Sequence, residues 1–281
     1  MTSNILKQEQ INEFYANGVI VIKDFYDIEH DIVPIQKAIF NIFSIIINKY
    51  NLDIEPPEFS SRNFDSFYND IITINRSYGS EIYDAVKQIP AFLRLISSQR
   101  NEELLKQLRQ TDMAGIGKAS YGIRIDHPRE DQFRSQWHQE FLFQPQSIDG
   151  VVMWTPLVPV TADMGPVKVC IGSHKDGLRK CKKYGKYADK AGAYKIGLVD
   201  EEKVIDSYQQ ISPLTNPGDL ILMDYLTIHQ SGTNISNRSR WSVQSRFFNF
   251  RDPTGIDIGW KPSVTIGTDI ETIFPEYFCE E

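Results

Sequence analysis

His138 and Glu140 stand two residues apart, and His229 follows about ninety residues later. One metal ion held by these three side chains requires two distant segments to converge. That restricts the chain to folds that bring separate strands to one point. Two neutral imidazoles and a carboxylate match the 2-His-1-carboxylate set of non-haem Fe(II) oxygenases, which leaves three metal positions open for a bidentate co-substrate and O2. Alternation along a strand places residues i and i+2 on one face, so a strand over 134–143 would direct His138 and Glu140 the same way. Zinc hydrolases also use two histidines and a glutamate, but their helical HExxH motif is absent from the sequence.

The flanking chain supplies strands in the right place. From Ala119 onward, short β-branched and aromatic runs alternate with Gly, Pro and Asp clusters. We expect strands over 119–126, 134–143, 149–157, 167–171, 194–199, 219–224, 226–232 and 240–250, a pattern of sandwiches and barrels. Upstream, residues 5–17 predict a helix that stops at Asn17-Gly18, and 18–25 a strand. Ile32, Ile35, Ile39, Ile42, Phe43, Ile46 and Ile47 predict a long helix over 29–50. Residues 51–78, with Pro56-Pro57, read as a structured loop, and helices follow over 79–97 and 100–110. The expected fold is mainly β with N-terminal helices bracing the core. It is organised as one domain over 1–281: helical support to about 115, β-core over about 116–250, and a C-terminal extension over 251–281.

A second constellation lies close to His229. Arg240 follows it by eleven residues, with Ser242 next in an Arg-x-Ser pattern. A guanidinium is a bidentate clamp for a carboxylate. A 2-oxo acid chelating a metal at the triad would present its far carboxylate to Arg240, with Ser231 and Ser242 as hydroxyl donors.

The net charge of −7 argues against nucleic acid as a partner. Three cysteines, Cys170, Cys181 and Cys279, show no CxxC spacing, which fits a reducing compartment. The polar N-terminus lacks a signal-peptide core, and the apolar run Ile42–Ile47 is too short to span a bilayer. These features lead to the expectation of a soluble cytoplasmic protein without a membrane partner. They set no oligomeric state.

The order His138-x-Glu140, Trp154, Gly165-Pro166, Gly172-Ser173-His174-Lys175, Gly218-Asp219, His229-x-Ser231-Gly232-x-Asn234 and Arg240 resembles the phytanoyl-CoA dioxygenase-like family of Fe(II)- and 2-oxoglutarate-dependent oxygenases. The helix and strand around Phe14 to Phe25 also look like that family's opening, so the resemblance covers roughly 10–250. It implies a double-stranded β-helix, the jelly-roll or cupin-like core. It also implies His138, Glu140 and His229 as iron ligands and Arg240 as the 2-oxoglutarate clamp. Trp154 and Ser231 would be further co-substrate contacts, and Gln139 a pocket residue. His174 lies outside that set. The family usually has Asp where Glu140 stands; the retained carboxylate argues against a halogenase. The implied reaction couples 2-oxoglutarate decarboxylation, giving succinate and CO2, to oxidation of a C–H bond in a small molecule, with hydroxylation as the default outcome. A non-oxygenase cupin-like hydrolase or isomerase, and an inactive jelly-roll binding protein, are the alternatives.

Tyr121 and Arg124 are further candidates for co-substrate or substrate contact. Residues 174–195 carry eight Lys or Arg against two Asp. In the resembled family this loop hangs over the site mouth, so a lid that attracts an anionic substrate is expected.

Overall fold

The computed structural model describes residues 4–183, 185–187, 189–190 and 195–279. Helix α1 (Gln8–Asn17) ends at Gly18, whose φ of 74° is left-handed. A Cβ there would lie 2.3 Å from Thr227 Oγ1 and 2.4 Å from His174 Nδ1, so glycine meets both the backbone and the packing requirement. Strand β1 (Val19–Ile22) follows, then a π-helical turn, Ile28–Ile32, that leads into α2 (Val33–Tyr50).

Two differences from the expected helices have local causes. The stretch expected as a loop contains α3 (Tyr68–Ile74), which buries Tyr68, Ile71 and Ile72 at one-turn spacing. The helix expected over 79–97 is two, α4 (Arg76–Val86) and α5 (Pro90–Ile96). Pro90 forces Ile89 into an extended conformation (φ −63°, ψ 120°) and breaks the run. Helix α6 (Gln99–Arg109) completes the support.

The β-core contains β2 (Ala114–Asp126), β3 (Val151–Pro156), β4 (Val167–Cys170), β5 (Cys181–Lys183), β6 (Ile196–Leu198), β7 (Gln210–Ile211), β8 (Leu220–Asp224), β9 (His229–Ser231) and β10 (Arg240–Asn249). A short helix α7 (Glu201–Asp206) precedes β7, and α8 (Pro253–Ile258) and α9 (Ile270–Ile273) follow β10. One sheet runs β1-β8-β3-β10-β2 and a second runs β7-β4-β9, with β5-β6 as a separate hairpin. All of their pairings are antiparallel. The two larger sheets sandwich a core of Val152, Trp154, Ile221 and Met223 against Val167 and Val169. This is a jelly roll braced by helices, as expected.

The outer face of the first sheet carries the alternate residues. Trp241, Val243 and Phe247 of β10 join Ile35, Ile39 and Phe43 of α2 in one cluster. Trp241 is fully buried, with its ring 5.0 Å from Tyr68, 5.8 Å from Phe43 and 6.1 Å from Phe64, centroid to centroid. Residues Ile28–Tyr50 are long and apolar enough to cross a membrane by length and composition, more than the short run Ile42–Ile47 suggested. Here the helix spends that apolar surface on the core, burying Ile35, Ile39, Phe43, Ile46 and Ile47.

The expected strand over 134–143 is not formed. His138 makes an isolated antiparallel bridge with His229. The chain then turns through a 3-10 segment, Glu140–Leu142, because the Glu140 and Phe141 amides both donate to the Tyr225 carbonyl, at 2.8 and 3.3 Å. The strand expected over 226–232 is likewise shortened to His229–Ser231.

Candidate metal centre

The bridge and the turn place the triad. His138 reaches across from the edge of β9, and Glu140 arrives on the 3-10 turn instead of by strand alternation. One ligand atom from each of His138, Glu140 and His229 lies within 4.8 Å of the others. Glu140 Oε2 is 3.7 Å from the Nε2 atoms of both histidines.

Each imidazole has its tautomer set by its own backbone. Nδ1 of His138 is 2.7 Å from the Gln136 carbonyl, and Nδ1 of His229 is 2.9 Å from the Thr227 carbonyl. An Nδ1–H donated to a carbonyl leaves Nε2 as a lone pair facing the cluster, the usual arrangement behind a metal-binding histidine. Burial pushes His229 down to about 3, helped by the neighbouring His138 and opposed by Glu140. Burial alone would raise Glu140, but the charge of Arg246 and the contact with His138 hold it well below the usual carboxylate range. At neutral pH His229 is therefore a neutral nitrogen and Glu140 an anionic oxygen; with Nε2 of His138 they form a donor set that suits Fe(II).

Strand β10 supplies a row of polar side chains on its inner face: Arg240, Ser242, Gln244 and Arg246. Opposite them in register stand Asp126, Arg124 and Gly122 of β2, and Pro156, Trp154 and Val152 of β3. Arg246 donates from Nε to Glu140 Oε1 at 3.1 Å. Arg240 is fully buried and donates from Nη2 to Asp126 Oδ2 at 2.8 Å. Its Nε and Nη1 are buried without a hydrogen-bond partner, as is Ser242 Oγ. Unpaired buried donors on a guanidinium are costly, and they fit a group that expects an anion. Arg124 also binds Asp126, from Nε at 2.9 Å. Burial would raise Asp126, yet the two guanidiniums keep it below its ordinary range.

Two spaces meet at the triad. A small inner cavity of about 40 Å³ is lined by Trp154, Ser135, Ser231, His229 and Arg246 among others. An outer cleft of about 610 Å³ touches His138, Glu140 and Arg246 and runs past Tyr121, Phe143, Tyr83 and Lys87. Arg124 and Gln244 line both.

The other expected residues fall as follows. Trp154 is buried on β3 with the Arg240 guanidinium 5.9 Å from its ring centre, and Ser231 pairs its hydroxyl with Ser135 at 3.1 Å. Gln139, Arg240 and Ser242 line neither space; the two β10 residues lie behind the inner cavity's wall, next to Trp154 and Asp126. The Gln139 amide nitrogen donates to the Gly177 and Leu226 carbonyls, and its oxygen accepts from the Arg179 amide. That residue ties two loops together behind the triad, so its expected pocket role is replaced by a scaffold role. His174 Nε2 meets the Tyr15 carbonyl at 3.1 Å, away from the site. Of the 174–195 segment, residues 184, 188 and 191–194 lie outside the described residues. Arg179, Lys183, Lys186 and Lys190 are each paired with a carboxylate.

Arg246 and Asp126 were not among the expected site residues. The signal for Arg246 was present: Arg240-Trp-Ser-Val-Gln alternates polar and apolar, the mark of a strand with one face turned inward, and the same period carried past Ser245 turns Arg246 inward. Asp126 emerges only from strand register, as the residue opposite Arg240. Comparison with known proteins is decisive for the family. The profile described as phytanoyl-CoA dioxygenase (PhyH) matches residues 101–242, just over half of the chain. The chain belongs to the phytanoyl-CoA dioxygenase family. With that family go the cofactors Fe(II) and 2-oxoglutarate and the oxidoreductase class. The matched residues contain the triad and end two beyond Arg240.

A 1-deoxypentalenic acid 11-beta-hydroxylase of Streptomyces exfoliatus is 30% identical over 107 residues, 38% of this chain and 37% of that relative. The aligned stretch thus spans little more than a third of the relative. Solved structures agree on the fold. EctD from S. alaskensis, with 2-oxoglutarate and 5-hydroxyectoine, superimposes with a TM-score of 0.59 at 18% identity, over 93% of this chain and 83% of that one. The non-heme alpha-ketoglutarate-dependent carbocyclase SnoK gives 0.56 at 12% identity, over 94% and 95%.

Proposed function

We propose that this member of the phytanoyl-CoA dioxygenase family hydroxylates an unactivated C–H bond of a small, anionic organic molecule. The observation that carries the reading is the convergence of His138, Glu140 and His229 within 4.8 Å, at the junction of an inner cavity and an open cleft. These residues would hold Fe(II). Bound Fe(II), with 2-oxoglutarate and O2, supplies the oxidant and releases succinate and CO2.

The chain's own residues divide the remaining work. Arg240 and Ser242 offer buried, unpartnered donors for the distal carboxylate of 2-oxoglutarate, and Trp154 walls that end of the barrel. Ser231 stays near it through Ser135. The outer cleft positions the substrate beside His138 and Glu140 and shelters the reacting carbon from bulk water. Tyr83, Tyr121, Phe133 and Phe143 give it apolar walls.

The anionic character of the substrate is supported by charge. Around the site, three guanidiniums (Arg124, Arg240 and Arg246) meet two carboxylates, Asp126 and Glu140. A divalent metal adds two positive charges and 2-oxoglutarate removes two. One positive charge remains beside the cleft; Lys87 on its wall is paired with Asp84. The paired cations of 174–195 contribute less to this field than their number suggests. A cytoplasmic location is proposed from the three free thiols, Cys170, Cys181 and Cys279.

Succinate release in the presence of Fe(II), 2-oxoglutarate, O2 and a pool of small organic acids tests the proposal. Substrate-dependent succinate with a hydroxylated product supports it. Metal and 2-oxoglutarate binding without turnover of any acid would redirect the search to neutral substrates. Failure to bind 2-oxoglutarate by calorimetry would overturn the reading in favour of a non-oxygenase metalloenzyme.

A further inference from the structure

We infer that Arg246 is a positioning residue matched to the length of Glu140, and that the two form one unit in the metal site. The inference rests on the proposed use of the triad as iron ligands, and adds a residue to it. Glu140 carries one methylene more than aspartate, and with it one more rotatable bond. Nothing in the triad itself fixes that extra torsion. Arg246 does so from the far strand. Its Nε lies 3.1 Å from Oε1 and its Nη2 is 3.5 Å from Oε2.

The division between the two carboxylate oxygens is specific. Oε1 takes the shorter guanidinium contact, and Oε2 is the atom 3.7 Å from both histidine Nε2 atoms. Oε1 is thus held mainly from behind, while Oε2, with only the longer guanidinium contact, faces the cluster. A glutamate left free to rotate can bring both oxygens to one cation, as bidentate carboxylates do elsewhere. That would consume a position the co-substrate needs. Arg246 holds the carboxylate so that one oxygen serves as ligand, and keeps a position open for 2-oxoglutarate.

The site is built for this. Arg246 lies on the inner face of β10, two and four residues from Gln244 and Ser242, opposite Val152 of β3. Glu140 is 2% exposed, so water does not compete for the carboxylate. Shortening the ligand to aspartate would draw its carboxylate back by one carbon–carbon bond, roughly 1.5 Å. The 3.1 Å contact would then open beyond hydrogen-bond range.

A double-mutant cycle separates this pairing from independent effects. Wild type, Arg246→Gln, Glu140→Asp and the double variant are loaded with Co(II), a redox-stable probe. Calorimetry gives the Co(II) affinity and then the 2-oxoglutarate affinity of each loaded protein, and the visible Co(II) spectrum reports coordination number. Thermal melts confirm folding. With Glu140 in place, loss of Arg246 should weaken 2-oxoglutarate binding by about 10- to 100-fold, the usual scale for an outer partner of a ligand, and change the Co(II) spectrum. In the Glu140→Asp background the same loss should cost less than about threefold. Arg246→Lys keeps the charge without the fork and should restore only part of the affinity. Equal losses in both backgrounds, or full rescue by lysine, would overturn the inference. If wild type takes up no Co(II), the proposed function itself fails.

Discussion

His138 and His229 exchange two backbone hydrogen bonds of 3.0 Å each, His138 N to His229 O and His229 N to His138 O. This closely spaced antiparallel pair sets the two imidazoles side by side, with ring centroids 4.3 Å apart. Main-chain pairing, not side-chain packing, fixes the distance between the two nitrogen ligands. The pair uses neither side chain, so single substitutions of these histidines should leave the fold intact.

Metal binding should therefore show directly in stability. A divalent ion present at about 100 times its Kd should stabilise the metal-free protein by about 2.7 kcal/mol, since it binds only the folded state. A thermal melt with and without Co(II) checks this. His229→Ala and Glu140→Gln should lose the Co(II) increment, and Glu140→Ala should in addition melt below the metal-free wild type because it leaves Arg246 without its carboxylate.

Acid should destabilise the metal-free protein in a defined window. His229 is held down to about 3 by burial, while an unfolded histidine protonates near 6.5. The unfolded chain thus binds more protons between those values. The contribution is full above about 6.5 and is lost as pH falls toward 3. Glu140, also lowered, acts in the same direction, beginning near its ordinary 4.5. Melting temperature measured from pH 7 to pH 4 should fall, and His229→Gln should flatten the upper part of that slope.

Arg240→Lys should raise the 2-oxoglutarate Kd by about 10-fold or more while leaving Co(II) affinity within a few-fold. Lysine keeps the charge but offers a point donor instead of a planar fork. Arg240→Ala should also destabilise the fold, by about 1–3 kcal/mol, because it removes one of the two guanidiniums that bind the buried Asp126. Calorimetry and urea unfolding separate the two effects. An unchanged Kd in the lysine variant would remove Arg240 from the co-substrate site.

Trp241→Ala tests the bracing role of the helices. Truncating a fully buried tryptophan costs about 3–5 kcal/mol. The side chain points away from the triad, so 2-oxoglutarate affinity at a temperature where the variant is folded should stay within about twofold. A large loss of affinity there would show that the outer core also shapes the site.

How much of this was legible in the residues differs by element. The convergence of His138, Glu140 and His229 was readable because chemistry and chain order both constrain it. The strand expected over 134–143 was wrong for a physical reason: a single bridge to His229, followed by amide bonds to the Tyr225 carbonyl, supplants the ladder. Those partners lie some ninety residues away, beyond any local pattern. Gln139 looked like a pocket residue from its position between two ligands, but the turn after it rotates its side chain toward Gly177 and Leu226. Helix α3 was hidden because it is only seven residues long, so Tyr68, Ile71 and Ile72 mark a single turn. Arg246 looked like one of several clustered arginines, although the period of two that starts at Arg240 turns it inward.

The inner face of β10 carries Arg240, Ser242, Gln244 and Arg246, and its outer face carries Trp241, Val243 and Phe247. A one-residue insertion or deletion within this strand would exchange the two sets, moving guanidiniums into the helical core and tryptophan into the barrel. Such an event would strike co-substrate recognition, ligand alignment and stability together. Beyond Gln244 and Arg246, the walls of the outer cleft come from α4, β2 and the loops near Phe133 and Thr265. Lineages of this enzyme that change substrate can therefore drift there, by point changes and loop-length changes, while β10 is confined to in-place substitutions.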